Sequence, residues 1–222
     1  MKKIFLLLAC ATMVLTSCGP WSNLAKGSAI GGGSGAAVGA GVGALVGKDA
    51  KSAAIGSAIG AIIGDRMDKK AEELAAIEGA SVETVTDVNN LTSVKVTFDN
   101  GILFDFNKST LSEAAKKSLK EFATKMADMP ETDITIWGHT DNVGTSEANE
   151  KVSLARANAV KDFLSAQGIA ADRMASEGKS FNMPVATNDT KAGRAQNRRV
   201  EVYISANQAM IAEAAAEAQQ AN

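Results

Sequence analysis

The stretch "DITIWGHTDNVGTSEANEKVSLARANAVKDFLSAQG", residues 133–168, changes its hydrophobic period once, and that change decides the fold. Ile134 and Ile136 alternate with polar neighbours, the mark of a half-buried strand that ends at Gly138. From about Ser146 to Gln167 the period is helical, and Gly168 closes the element. A strand, a short polar loop and an amphipathic helix in that order predict an α/β unit. Inside it sit His139, the chain's single histidine, and Asp141, Asn149, Ser153 and Arg156.

On a helix wheel turning about 100° per residue, Val152, Val160 and Phe163 fall within roughly 40° of Arg156. A charge at the middle of an apolar face calls for a partner. One reading is a structural salt bridge to Asp105, Asp141 or Glu177. The other is a guanidinium fork that takes a ligand carboxylate bidentately. Asp141, just past a strand end, would then accept from an ammonium, and Asn149 in the first turn of the helix can donate and accept. Arg198 is in phase with Val200 and Val202 and is expected to point inward at a strand entrance. One Asp with two Arg suits a small zwitterion.

Outward from this unit, residues 82–98 alternate weakly, with Val94, Val96 and Phe98 on one face. "DNG" at 99–101 is a hairpin signal. Thr110 and Glu113 have capping-box spacing, and Leu111, Ala115, Leu119, Phe122 and Met126 form a helical stripe that Pro130 ends. "RMASEGKS" reads as a short strand and turn, "FNMPVATNDTKAGRAQN" as a loop, and "RRVEVYI" as a last strand with Val200, Val202 and Ile204 inward. The Ala-rich tail after Ser205 reads as helical, without chemistry. The order predicts one α/β sandwich.

The N-terminus sets the compartment. Lys2 and Lys3 precede an apolar run from Ile4 to Ala11, too short for a spanning helix of about 20 residues. Leu15, Thr16 and Ser17 before Cys18 resemble a bacterial lipobox, which implies cleavage and lipidation of Cys18. Cys10 leaves with the signal, so no thiol remains for a disulfide, metal or nucleophile. Without Lys2 and Lys3, 21 basic residues face 25 acidic ones, a net charge of −4 that argues against nucleic-acid binding.

Between signal and domain, Gly27, Gly31, Gly35, Gly39, Gly43 and Gly47 recur every four residues, as do Gly56, Gly60 and Gly64. That spacing lines one side of a helix with absent side chains, so another helix can approach closely. Each glycine costs a water-exposed helix about 1 kcal/mol against alanine, so packing or a membrane must compensate. Lys48-Asp49-Ala50-Lys51 marks the break of a helical hairpin. A membrane-associated or self-associating hairpin, a packed non-membrane hairpin and a linker all stay open. The segment resembles the glycine zippers of bacterial envelope lipoproteins.

A further resemblance covers most of the domain. "HTDNVGTSEANEKVSLARANAVKDFL" is similar to the peptidoglycan-binding signature of OmpA-like C-terminal domains, shared with the peptidoglycan-associated lipoproteins. Asn149, Val152-Ser153, Arg156-Ala157, Val160 and Leu164 match its spacing, with Val152 where the family has Leu. "FDFNKSTL" at 104–111 and "AQNRRVEV" at 195–202 match the flanking blocks, so the likeness spans about residues 90–204. It implies a βαβαβ two-layer sandwich in which Asp141 and Arg156 hold the diaminopimelate of the wall's stem peptide, with Asn149 and Arg198 assisting.

The resulting expectation divides the chain into a signal (1–17), a lipidated N-terminus and linker (18–26), a glycine-zipper hairpin (27–64), a connecting helix (65–80), a peptidoglycan-binding domain (81–205) and a tail (206–222). The function expected is an outer-membrane lipoprotein with its domain facing the periplasm, tethering membrane to wall. The alternative is an oligomeric or pore-forming envelope protein centred on the glycine zipper. No cofactor, metal or enzymatic activity is expected. One His without free Cys makes a poor metal set, and no serine sits in a G-x-S-x-G elbow to complete a triad with His139 and Asp141.

Overall fold

A computed structural model describes residues 50–104 and 108–221. The signal, Cys18, the first glycine arm and Asp105 lie outside the described residues. The elements run α1 (Ala50–Leu74), β1 (Ala80–Thr86), β2 (Thr92–Asp99), α2 (Asn100–Leu103), α3 (Glu113–Lys125), β3 (Thr132–Gly138), α4 (Ser146–Ala166), β4 (Met174–Gly178), α5 (Lys191–Asn197), β5 (Arg199–Ala206) and α6 (Gln208–Gln220).

The strands make one mixed sheet of order β1-β2-β5-β3-β4, in which only β3 and β4 pair in parallel, joined through α4. Register places Val94, Ile204 and Ile134 in one row across the sheet, and Val96, Val202 and Ile136 in the next. Leu119 and Phe122 of α3 and Val160 and Leu164 of α4 complete a continuous apolar core with these rows, all 0% exposed. The next row is Phe98, Val200 and Gly138. There α4 comes so close that a Cβ on Gly138 would lie 2.0 Å from the Ser153 carbonyl oxygen. The glycine is thus required by the approach of the helix, not by its own torsion.

Several local expectations need correction. The weakly alternating residues 82–98 span β1 and β2, joined by a turn in which the Asp87 carboxylate accepts from the amides of Asn89 and Leu91 and Asn90 takes φ 58°. "DNG" is no hairpin: Asp99 ends β2 and the chain turns helically through α2. The cap of α3 is Ser112, whose hydroxyl accepts from the Ala115 amide, and not Thr110. The expected loop 181–197 contains α5, capped by Thr190.

The boundary expected at 64/65 falls inside a single helix. The second glycine arm continues without a break into the charged segment as α1, which stops at Leu74, before Gly79. Ile59, Ile63 and Met67 of α1 are fully buried in the domain core. Alpha6 packs along α1 through Met210, Ala214 and Ala218, and Arg66 bonds Glu213 and Glu217. Lys70, 3% exposed, ties α1 to the end of α3 through Asp128 and the Lys125 carbonyl, both at 2.8 Å. Among the described residues no helix is long and apolar enough to cross a membrane.

Candidate functional site

The close seating of α4 on β3 and β4 determines what its first turns present. Ser153, fully buried, accepts from the Ser180 amide at 3.1 Å, and the Thr145 hydroxyl caps the helix by accepting from Ala148. The buried positions are Asn149, Ser153, Arg156, Ala157, Val160 and Leu164. Val152 is not among them, being 40% exposed, and Phe163 is half-buried, so the apolar face is displaced from the one drawn on the wheel. Arg156 is still buried, 5% exposed, at the edge of that face.

The loop 139–145 is held from both sides. The amides of His139 and Thr140 donate to the carbonyls of Arg199 and Ser180, each at 2.9 Å. Val143 is gripped twice: its amide donates to Asp141 Oδ1 at 3.1 Å, and its carbonyl accepts from Asn149 Nδ2 at 3.0 Å. Gly144 permits the next turn with φ 99°, a left-handed conformation in which glycine carries little penalty. Asn149 therefore fixes the shape of the loop that presents Asp141.

Asp141, 8% exposed, receives Arg198 Nη1 on Oδ2 at 2.6 Å. Arg198 does not point into the interior. It precedes β5, and its side chain is 37% exposed at the mouth of the site. Arg156 lies across from this pair. Its Nε donates to the Lys108 carbonyl at 3.3 Å, and its guanidinium carbon sits 5.4 Å from the centre of the Phe104 ring. Among the described residues it has no carboxylate within ion-pair distance, because Asp141 pairs with Arg198 and Glu177 with Lys179. Burial pushes the Arg156 guanidinium below the usual arginine range, the like charge of Arg198 adds to this, and Asp141 offsets part of it. The three side chains carry one surplus positive charge.

A second charged cluster was not foreseen. On the other face of the sheet Arg199 and Glu201 are 4% and 3% exposed, and Arg199 Nε donates to Glu201 Oε1 at 2.7 Å. The Tyr203 hydroxyl donates to Oε2 at 2.8 Å. His139 Nε2 lies 3.3 Å from Oε2, and His139, Arg199 and Tyr203 together favour the charged carboxylate. Burial would raise the Glu201 carboxyl; its partners more than offset that and hold it at about 2. His139, 1% exposed, belongs to this interior cluster and does not face the site. The period-two spacing of Arg199, Glu201 and Tyr203 was the available signal.

Residues 103–198 match the OmpA family, and residues 1–72 match the YMGG-like Gly-zipper. The chain is 34% identical over 127 residues to the peptidoglycan-binding protein ArfA of Mycobacterium tuberculosis, covering 57% of this chain and 37% of that one. It is 36% identical over 106 residues to "Probable lipoprotein YiaD" of Escherichia coli, covering 48% of each. A solved structure of the cell wall anchor of the T6SS from Pseudomonas aeruginosa superimposes with a TM-score of 0.54 at 29% identity, over 64% of this chain and 98% of that one. The chain spans between 32% and 58% of the length of such curated relatives. Sequence likeness thus divides the chain, with residues 1–72 similar to the YMGG-like Gly-zipper and residues 103–198 similar to the OmpA family.

Proposed function

We propose that this protein is an outer-membrane lipoprotein whose C-terminal domain grips peptidoglycan without a covalent bond and so tethers the outer membrane to the wall. Arg156 carries this reading. A guanidinium that is buried, out of ion-pair reach of any carboxylate among the described residues, and set opposite the Asp141–Arg198 pair suits an incoming carboxylate. The ligand that fits is the diaminopimelate of a stem peptide: its free carboxylate on Arg156, its ammonium at Asp141, with Asn149 holding the loop between them. ArfA is named for peptidoglycan binding and the T6SS relative as a cell wall anchor, which supports the same reading.

The anchor is the lipid on Cys18, more than one acyl chain on one residue being what stable attachment takes. The domain then faces the periplasm, where weak contacts to a polymeric wall add through effective concentration. His139 is enclosed behind the sheet and out of reach of a polymer. Self-association through the glycine zipper rests on residues 27–47, because the second arm is packed against α6 and β2.

Sedimentation of the mature chain with purified sacculi is the test. The wild type should pellet with the wall, and Asp141→Ala and Arg156→Ala should stay in solution. Variants that pellet like the wild type would remove the site; a wild type that stays in solution would remove the function.

A further inference from the structure

The zwitterion reading above leaves Asp141 with a difficulty. Its carboxylate is engaged within the chain, Oδ2 by Arg198 Nη1 at 2.6 Å and Oδ1 by the Val143 amide at 3.1 Å. An ammonium cannot take this carboxylate without exchange. Arg198 is suited to exchange. Its side chain is 37% exposed, it stands between the end of α5 and the start of β5, and its bond to Asp141 is the one side-chain hydrogen bond it makes among the described residues. Its neighbour Arg199 makes three, to Glu201 and to the carbonyls of Asn197 and Met183.

We propose that Arg198 is a displaceable stand-in for the guest's ammonium, and that this exchange makes the site selective for zwitterions over simple amines. The reasoning rests on charge balance. An amine arriving alone must expel a guanidinium from Asp141 and leave it without a counter-charge near Arg156, a like charge already desolvated on α4. A zwitterion supplies both halves of the exchange: its ammonium replaces Arg198 on Asp141, and its carboxylate gives Arg156 and the released Arg198 a shared counter-charge. Selectivity of this kind comes from a built-in cost against the wrong guest as much as from attraction to the right one. The class of guest follows. It is an amino acid side chain with a free ammonium and a free carboxylate on one carbon, and amidation of that carboxylate should remove the advantage.

Equilibrium dialysis of the full mature chain in detergent, with labelled meso-diaminopimelate and separately with labelled butylammonium, tests the exchange. In Arg198→Gln the competing cation is gone, so butylammonium should bind about tenfold more tightly than to the wild type. Arg198→Lys keeps a cation at the same place and should bind butylammonium like the wild type. Butylammonium binding that is unchanged or weaker in Arg198→Gln, or equally raised in Arg198→Lys, overturns the stand-in role. A wild type that binds meso-diaminopimelate while either of those results holds loses this inference alone. A wild type that does not bind meso-diaminopimelate loses the zwitterion reading, and the exchange with it.

Discussion

Arg198 and Arg199 are consecutive in the chain and opposite in circumstance. Arg199 is sealed on one face of the sheet, its guanidinium shared among Glu201 and two backbone carbonyls, and Glu201 in turn accepts from Tyr203. Arg198 emerges on the other side with a single partner, facing a second arginine that has no acid of its own among the described residues. Both clusters contain buried charge. Where the chain neutralises the charge internally, the cluster is architecture; where the three side chains leave a surplus near the surface, the cluster suits the proposed guest. Breaking each cluster should therefore give opposite readouts, stability in one case and binding in the other.

The largest effect expected is on the closed cluster. Glu201→Ala leaves Arg199 buried without its counter-charge and should cost about 3–5 kcal/mol, read as the loss of unfolding free energy in urea. Sacculus binding per folded molecule should be little changed, and a loss under about 1 kcal/mol would show that the cluster is not architectural. Acid should reproduce part of this loss. The Glu201 carboxyl is held at about 2 against an ordinary 4.5, so its contribution is full above 4.5 and fades as pH falls through about 2. Between roughly pH 5 and pH 2 the domain should lose about 3 kcal/mol through this group, and Glu201→Gln should flatten that slope. An unaltered slope in the variant would assign the acid sensitivity to other carboxylates.

The two clusters were not equally visible in the sequence. Arg156 stood out because a charge on an apolar helical stripe is locally anomalous, and Asp141 because it follows a strand end. The strands β3 and β5 and the helix α4 were readable from period alone. Arg199 and Glu201 were hidden, because charges alternating with Val200 and Val202 look like the solvent side of an edge. Their partners come from outside the strand pattern as well as within it, with the Met183 carbonyl accepting from Arg199 and His139 beside Glu201. The error over Val152 has a similar origin. A wheel treats both flanks of a stripe alike, but Gly138 and Gly178 draw α4 down on one flank and leave Val152 on the other. The turn at Asp87–Leu91 lacks glycine and works through a side-chain carboxylate, and α5 lies in a stretch whose composition reads as loop. The run-on from the glycine arm into α1 depends on α6, some 140 residues away by chain, with Arg66 bonding Glu213 across 147 residues.

The open cluster should answer through binding. Arg156→Ala removes the carboxylate receptor and should weaken binding of meso-diaminopimelate by about 2–3 kcal/mol, measured by calorimetry on the full mature chain. Asn149→Ala should act at second hand: the Val143 carbonyl loses its donor, the loop holding Asp141 loosens, and affinity falls by about 1 kcal/mol. Equal losses in the two variants would mean that Asn149 touches the ligand itself.

The smallest effect is the most discriminating. Arg156→Met keeps a long flexible side chain against Phe104 and removes only the charge. If Arg156 were structural, its loss would resemble that of Arg199 and cost several kcal/mol. Among the described residues its guanidinium instead makes one long hydrogen bond, 3.3 Å to a carbonyl, and rests on a ring, while burial and Arg198 oppose its charge and Asp141 offsets part of this. Among the described residues the free energy of desolvating the cation is thus poorly offset. Unfolding free energy should change by less than about 1 kcal/mol, with a gain as acceptable as a loss, while sacculus binding disappears. A loss of several kcal/mol would make Arg156 a structural partner and return the site to the ordinary interior of a domain.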